Sequence, residues 1–409
     1  MTVEKLPKGL QKAVEEATLR IEGMLEAKGL KPSEELPEMA GKGAVSGEAY
    51  VSANAILGLE KYLGMADPEL RLAFFPSISL TNNSTVAKTF VRFDPALKED
   101  IVIFGNGKAQ GRELERVMKV VNKFRELTGI TSKITYVSRN DFKGGDYGKG
   151  LGTSAAAGAA LAMALVKAGA PELANNKRFL ATLARRLAGS ATRSMVGGIS
   201  IWLSHTGYLD RESESYGVRM DSPELVRKTK LVIIPIPQDS KTESAHKAAV
   251  NAPDYLEWVK LKVKNVPLLT EAILEKDADS AIAEIGKHAE ADSDWLNKII
   301  KTGNDAKRTP FDNWTKETRD IRELVIKLRE GGLRCWYSMD TGPSVAVITH
   351  ADDAEKVRQE LDSAFNGRHA GKVFVADVAG APEVKELSKK SELLTGEVVE
   401  LLEENGISV

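Results

Sequence analysis

Apolar positions recur at helical spacing over residues 8–28, where Leu10, Ala13, Val14, Ala17, Ile21, Met24 and Leu25 form one side and charges fill the other. Residues 31–43 are rich in Pro, Glu and Gly and read as a loop. Strands are predicted over residues 48–59, 74–81, 85–93, 101–104 and 134–138; within 74–81 the alternation puts Ser77 and Ser79 on one face. Gly105-Asn106-Gly107 is a tight-turn signal. The spacing predicts helices over 111–128, 153–168 and 176–187. Residues 188–203 place Arg193 and Ser194 just before a double glycine and an apolar strand. The second half opens with a strand at 231–237 that Pro235 and Pro237 close. Helices at 255–264, 268–275, 277–301 and 320–330 follow. Strands at 333–339 and 344–350 then flank Asp340-Thr341-Gly342-Pro343, before a helix at 354–365, a strand at 372–378 and a closing helix or helix pair over 383–404.

The chain is organised around residues 148–167. Gly150 and Gly152 allow a tight turn and close approach to a ligand. Thr153 or Ser154 is expected to cap the alanine-rich helix behind them. Uncovered N–H groups and the dipole at such a helix start favour an anion, and phosphate is the obvious guest. The same run also fits a capped, buried helix after a glycine turn. Its spacing is neither GxxxxGK[ST] nor GxGxxG.

A chain of 409 residues exceeds one compact core. The division expected is a helical extension (1–45), an N-terminal domain with the glycine-rich loop (46–225) and a C-terminal domain (226–409). With 42% apolar and 28% charged residues the composition is that of an ordinary globular protein. A net charge of −1 argues against general nucleic-acid affinity. Cys335 is the only cysteine, so neither an intrachain disulfide nor a cysteine zinc cluster can form, which suits a reducing cytoplasm. No apolar run is long enough to cross a bilayer. A cytoplasmic protein without membrane or nucleic-acid partners is expected.

Several residues carry candidate chemistry. Lys61 follows an apolar strand, where an ammonium can grip a phosphate as a point charge; most lysines are simply solvated. Arg193 sits among small residues, where a guanidinium can approach a carboxylate through two parallel hydrogen bonds. Asp340 lies at a strand-to-turn junction, a place where Asp also occurs for its local hydrogen bonds. Arg139, Lys143 and Lys149 flank the glycine loop, as phosphate partners or as solvated loop charges. The histidines (205, 246, 288, 350 and 369) show no HExxH or paired spacing, and no metal site is expected. Trp202, Trp295 and Trp336 read as core.

Together these pieces resemble one family. ANAILGLEKYLG is similar to the NIAxxKYWGK stretch of mevalonate diphosphate decarboxylases, with Lys61, Tyr62 and Gly64 in register. FPSISLT resembles their NSSxSxT strand, GLGTSAAAGAAL their GLASSAAGFAAL phosphate loop, GSATRSMVGG their GSACRSxxGG and SMDTGPS their FDAGPN. The matches fall in the family's order over residues 51–347. The resemblance implies the α+β, two-domain fold of the GHMP kinase superfamily: an N-terminal α/β domain and a ferredoxin-like C-terminal domain with the active site in the cleft between them. It also implies roles. Asp340 matches the catalytic aspartate, Arg193 the arginine that holds the substrate C1 carboxylate, and Lys61 the active-site lysine. Tyr62 matches a substrate-phosphate contact, Thr153 and Ser154 the phosphate-loop hydroxyls, and Ser190 and Ser194 the serines around the arginine. Ser77 and Ser79, from the matching strand, and Lys149 complete the expected substrate and phosphate contacts.

Three departures bear on the substrate. Met65 stands where the family motif has its second lysine, which weakens the grip on a 5-diphosphate. Residues 142–150 are longer than the family's FPTAAG and carry Lys143 and Lys149, and the N-terminal helix is extra. This pattern is more similar to the bisphosphomevalonate decarboxylases of Thermoplasma-type archaea. The resemblance then implies conversion of mevalonate 3,5-bisphosphate to isopentenyl phosphate, CO2 and phosphate, with no cofactor. The alternative is an ATP- and Mg2+-dependent decarboxylase acting on mevalonate diphosphate or 5-phosphomevalonate. Arg193 and Asp340 together argue against a kinase that does not decarboxylate. Decarboxylases of this family are commonly homodimers, so a homodimer is the assembly implied.

Overall fold

The computed structural model describes residues 5–36, 41–144, 152–237, 242–307, 312–365 and 372–407. In chain order the first half runs α1 (Lys8–Ala27), β1 (Gly47–Glu60), β2 (Ser77–Asp94), β3 (Ile101–Phe104), β4 (Gly107–Lys108), α2 (Gly111–Thr128), β5 (Lys133–Phe142), α3 (Thr153–Gly169), α4 (Lys177–Leu187), α5 (Ala191–Val196), β6 (Ile199–Trp202) and β7 (Gly217–Arg219). The second half runs α6 (Pro223–Lys228), β8 (Thr229–Ile234), α7 (Thr242–Ala249), α8 (Tyr255–Glu275), α9 (Ala278–Ala306), α10 (Lys316–Glu330), β9 (Cys335–Ser338), β10 (Val345–His350), α11 (Ala354–Phe365), β11 (Phe374–Asp377), β12 (Glu383–Lys385) and α12 (Gly396–Glu404). No helix among the described residues is long and apolar enough to cross a membrane.

Two sheets organise the molecule. The larger has the order β12-β1-β2-β5-β3-β4, with β6 paired to the far end of β2 and β7 to β6. Its pairings are antiparallel except β3 with β5. The alanine-rich α3 packs on one face of this sheet with α2, α4 and α5; Ala156, Ala159, Ala160 and Leu165 meet Val51, Ala53 and Val91 there. Small side chains let helix and sheet approach closely, which explains the composition of α3. The smaller sheet is wholly antiparallel, in the order β11-β8-β10-β9. Numbered along its own segment that is 4-1-3-2 with helices in the crossovers, the ferredoxin-like arrangement. Val232, Ile234, Val345 and Val347 face α10 and α11, while Leu231, Ile233, Ala346 and Ile348 join a core shared with Leu57, Ile78 and Ile199 of the larger sheet. That shared core also takes Ile21 and Leu25 of α1, so the extra helix seals the seam between the two sheets.

Four features read from the sequence pattern differ in the structure, and β4, α5, β7, α6 and α7 are not among the elements that pattern predicts. The two strands expected over 74–93 are one strand of 18 residues that runs through Asn82-Asn83-Ser84. The helix break expected near Pro267 is absent, and α8 continues through it. The closing segment is not a helix throughout: β12 joins the edge of β1 and only residues 396–404 are α-helical. Thr153 does not cap α3 with its side chain; the cap position is Gly152, at φ 72°, because an added Cβ there would lie 2.2 Å from the Ile56 carbonyl oxygen.

Candidate active site

The end of β1 delivers a lysine and a tyrosine to one cluster, α5 delivers an arginine, and the β9–β10 turn delivers an aspartate. β1 carries a register shift between Gly58 and Glu60, which bends the strand as it leaves the sheet. Gly58 N–H donates to Asp340 Oδ1 at 3.2 Å. A Cβ on Gly58 would lie 2.5 Å from Lys61 Cγ and 3.0 Å from Asp340 Oδ1, so glycine is what allows both side chains to close over the strand end. Lys61 Nζ donates to Ser293 Oγ on α9 and to Ser338 Oγ on β9, each at 3.1 Å. Burial pushes Asp340 above the ordinary carboxylate range, against the pull of Lys61, the Gly58 N–H and Arg193.

Arg193 is 3% exposed, and its Nε and Nη1 have no hydrogen-bond partner among the described residues. Buried guanidinium N–H groups are costly when unpaired, so they ask for an anion. Burial pulls Arg193 down to about 10, with Tyr62 and Asp340 holding it up. Its guanidinium carbon lies 5.5 Å from the centre of the Tyr62 ring. Tyr62 meets Trp202 edge-on at 5.0 Å, and Gly189 makes room for both rings. Burial pushes the Tyr62 phenol up, while Arg193, Arg71 and hydrogen bonding with Ser190 oppose it.

Ser77 and Ser79 sit opposite Trp202 and Ser200 of β6, and Ser200 Oγ in turn donates to Arg193 O at 3.4 Å. The hydroxyls of Ser77, Ser79 and Thr81 are buried and have no partner among the described residues. Ser194 spends its proton on the Asn54 carbonyl at 2.7 Å, which fastens α5 to β1. Thr153 and Ser154 are the first two residues of α3, directly after the Gly152 cap. Lys149 lies outside the described residues. The neighbouring loop cations are engaged locally: Arg139 with Asp141 at 2.7 Å and Lys143 with Asn83 at 2.8 Å.

Sequence reasoning missed several residues here. Ser293 and Ser338 hold the Lys61 ammonium. His246 Nδ1 accepts the Gly64 N–H at 3.1 Å, its ring 5.3 Å from that of Tyr62, and burial then the Arg71 charge bring it down to about 4. Arg71 holds a left-handed φ of 55° with its Nε buried and unpartnered among the described residues. Asp292 accepts the Lys61 backbone N–H at 2.7 Å. The readable signal for Asp292 and Ser293 is their place on the apolar stripe of α9, between Ala289 and Leu296.

Residues 53–216 match the diphosphomevalonate decarboxylase-like N-terminal domain. A phosphomevalonate decarboxylase of Haloferax volcanii is 30% identical over 77% of this chain and 92% of its own. The chain belongs to the mevalonate decarboxylase family. It is thereby a carboxy-lyase of the GHMP-kinase fold. A mevalonate 3,5-bisphosphate decarboxylase of Thermoplasma acidophilum is 28% identical over 72% of this chain and 68% of its own. Among solved structures, mevalonate diphosphate decarboxylase of Staphylococcus aureus superposes with a TM-score of 0.73 at 26% identity, over 84% of this chain and 99% of that one.

Proposed function

We propose that this enzyme converts mevalonate 3,5-bisphosphate to isopentenyl phosphate, CO2 and phosphate without ATP. The observation that carries the decarboxylation is the convergence of a half-buried carboxylate, a buried ammonium and a buried guanidinium whose Nε and Nη1 lack partners among the described residues: Asp340, Lys61 and Arg193. Loss of a tertiary phosphate leaves positive charge growing at C3. The C2–C1 bond electrons then form the alkene as the carboxylate departs as CO2. Lys61 stabilises the leaving phosphate, Asp340 faces the growing cation, and Arg193 holds the carboxylate in line. A unit charge pair at ~4 Å is worth about 4 kcal/mol at an effective dielectric near ~20. That is about a thousandfold in rate. Charges held in place before the reaction starts act without reorganisation.

The single phosphate at the 5 end is supported by Met65, which leaves one cation fewer beside Tyr62 than the family motif supplies. The resemblance to the Thermoplasma enzyme supports a 3-phosphate that arrives on the substrate. The resemblance to the Haloferax enzyme supports a second reading, in which ATP first phosphorylates the 3-hydroxyl of 5-phosphomevalonate and Asp340 takes the hydroxyl proton. The test is incubation of purified protein with mevalonate 3,5-bisphosphate and no nucleotide. Equal release of CO2 and phosphate is the expected result. Silence there, with ATP-dependent CO2 release from 5-phosphomevalonate, establishes the second reading instead.

A further inference from the structure

Behind Lys61 lies a buried chain of charges that decarboxylation itself does not touch. Lys262 of α8 places its ammonium between Glu60 Oε2, at 2.6 Å, and Asp292 Oδ1, in direct hydrogen-bond contact. Trp258 Nε1 donates to the same Asp292 oxygen at 3.2 Å, and Lys262 Nζ lies 4.9 Å from the centre of the Trp258 ring. The second Glu60 oxygen is 2.7 Å from His288 Nδ1. The second Asp292 oxygen accepts the Lys61 backbone N–H and stands 3.9 Å from Lys61 Nζ. Side-chain exposure is 1% for Glu60 and Lys262, 3% for Asp292 and 6% for Lys61.

Well-packed apolar residues often join such elements at least as well as a buried ion chain does. The charges therefore call for another purpose, and the geometry around Lys61 supplies one. Ser338 spends its proton on Gly58 O at 3.1 Å and Ser293 spends its own on Ala289 O at 2.6 Å. Toward Lys61 both hydroxyls can only accept, so they fix where the ammonium sits without bringing any charge. The charge must come from elsewhere, because burial pulls Lys61 below its ordinary value. Asp292 and Asp340 hold it up, Lys262 pushes it down and Glu60 holds it up.

We infer that Asp292 is a positioning residue for Lys61, fixing its backbone and its ammonium together, and that the Glu60–Lys262 pair behind it sets how much negative charge Lys61 feels. The inference rests on Lys61 being the cation that meets the leaving phosphate. The charged groups around Lys61 are Asp340 on the β9–β10 turn, Asp292 on α9, Lys262 on α8 and Glu60 at the end of β1. His288 lies beyond Glu60, and Arg193 beyond Asp340. Removing a negative group from this set and removing a positive one must move Lys61 in opposite directions.

The test follows the Lys61 side chain directly, by NMR titration of 13C-labelled lysine in the full substrate-free chain, with Lys61→Arg to assign the signal. Asp292→Asn keeps an oxygen for the Lys61 N–H and is expected to lower the Lys61 midpoint by about one pH unit or more. Lys262→Met is expected to raise it. Glu60→Gln, which leaves the Asp292 contacts in place, is expected to lower it by less and serves if Asp292→Asn does not fold. Midpoints that stay put, or that move the same way in Asp292→Asn and Lys262→Met, overturn the inference, since lost packing alone lowers the melting temperature without that opposition. No substrate is needed, so failure here is distinct from failure of ATP-free decarboxylation.

Discussion

Gly58 matters because it has no side chain: Lys61 and Asp340 both occupy the space a Cβ would need. Gly58→Ala is expected to displace one or both charges by a fraction of an ångström and lower kcat about a hundredfold, with the fold kept, as steady-state kinetics beside a melting curve will show. Arg193→Lys keeps the charge but loses the planar fork, so kcat/KM should fall about a hundredfold, mostly through orientation of the carboxylate. Asp340 carries a stability cost as well as a role. Its folded pKa is raised by burial, so the folded state loses stability as pH rises from the unfolded value through the folded one. Asp340→Asn removes that loss, and its melting temperature at pH 7 should exceed the wild type, with the gap closing toward pH 4. Lys61, Arg193 and Asp340 are each ambiguous by their local surroundings, and it is the resemblance of their motifs to one family that singles them out together. Gly58 could not be singled out, because a glycine in a strand reads only as a bulge until its neighbours are known.

Among the elements, α1 is where sequence pattern and tertiary role meet. Its apolar stripe is legible, but its partner is not: Ile21 and Leu25 fill the core shared by both sheets, and Arg20 reaches Glu271 of α8 at 2.9 Å. Ile21→Ala should cost about 2–5 kcal/mol in denaturant unfolding, with the slope unchanged if the transition stays two-state. The N-cap of α9 offers a smaller, local check. Asp277 accepts from Ser280 N at 3.0 Å, and Asp277→Ala should cost about 1 kcal/mol. The long β2 looked like two strands because Asn82-Asn83-Ser84 carries a turn's composition. In the fold those polar residues serve the strand instead: Asn82 Oδ1 accepts the Ser84 N–H, while Asn83 Oδ1 accepts from Asp377 N and Lys143. β12 was not legible, since a three-residue charged strand takes its conformation from the edge of β1 it joins.

Across the whole molecule, the resemblance of the motifs to one family implies a cleft between two domains, and the structure brings Lys61, Arg193 and Asp340 together from the end of β1, α5 and the β9–β10 turn. The chain of Glu60, Lys262 and Asp292 stayed hidden because its members are 202 and 30 residues apart and meet only after α8 and α9 pack on β1. Acid sensitivity follows from ion pairs far from the cleft. Burial would raise Asp100, but hydrogen bonds from Arg125 at 2.7 and 2.8 Å and from Ile134 N at 2.9 Å win, and its pKa lies below the ordinary value. Its contribution is therefore full above the unfolded pKa of about 4 and is lost as pH falls through the folded value. Asp100→Asn should make the melting temperature less dependent on pH below about 4. The most direct test of decarboxylation at Asp340 is a single-turnover measurement with 1-14C-labelled mevalonate 3,5-bisphosphate, comparing wild type with Asp340→Asn while substrate binding is measured by calorimetry. Loss of labelled CO2 by about a thousandfold with affinity nearly unchanged is the result predicted. Release of CO2 by Asp340→Asn at the wild-type rate would contradict it.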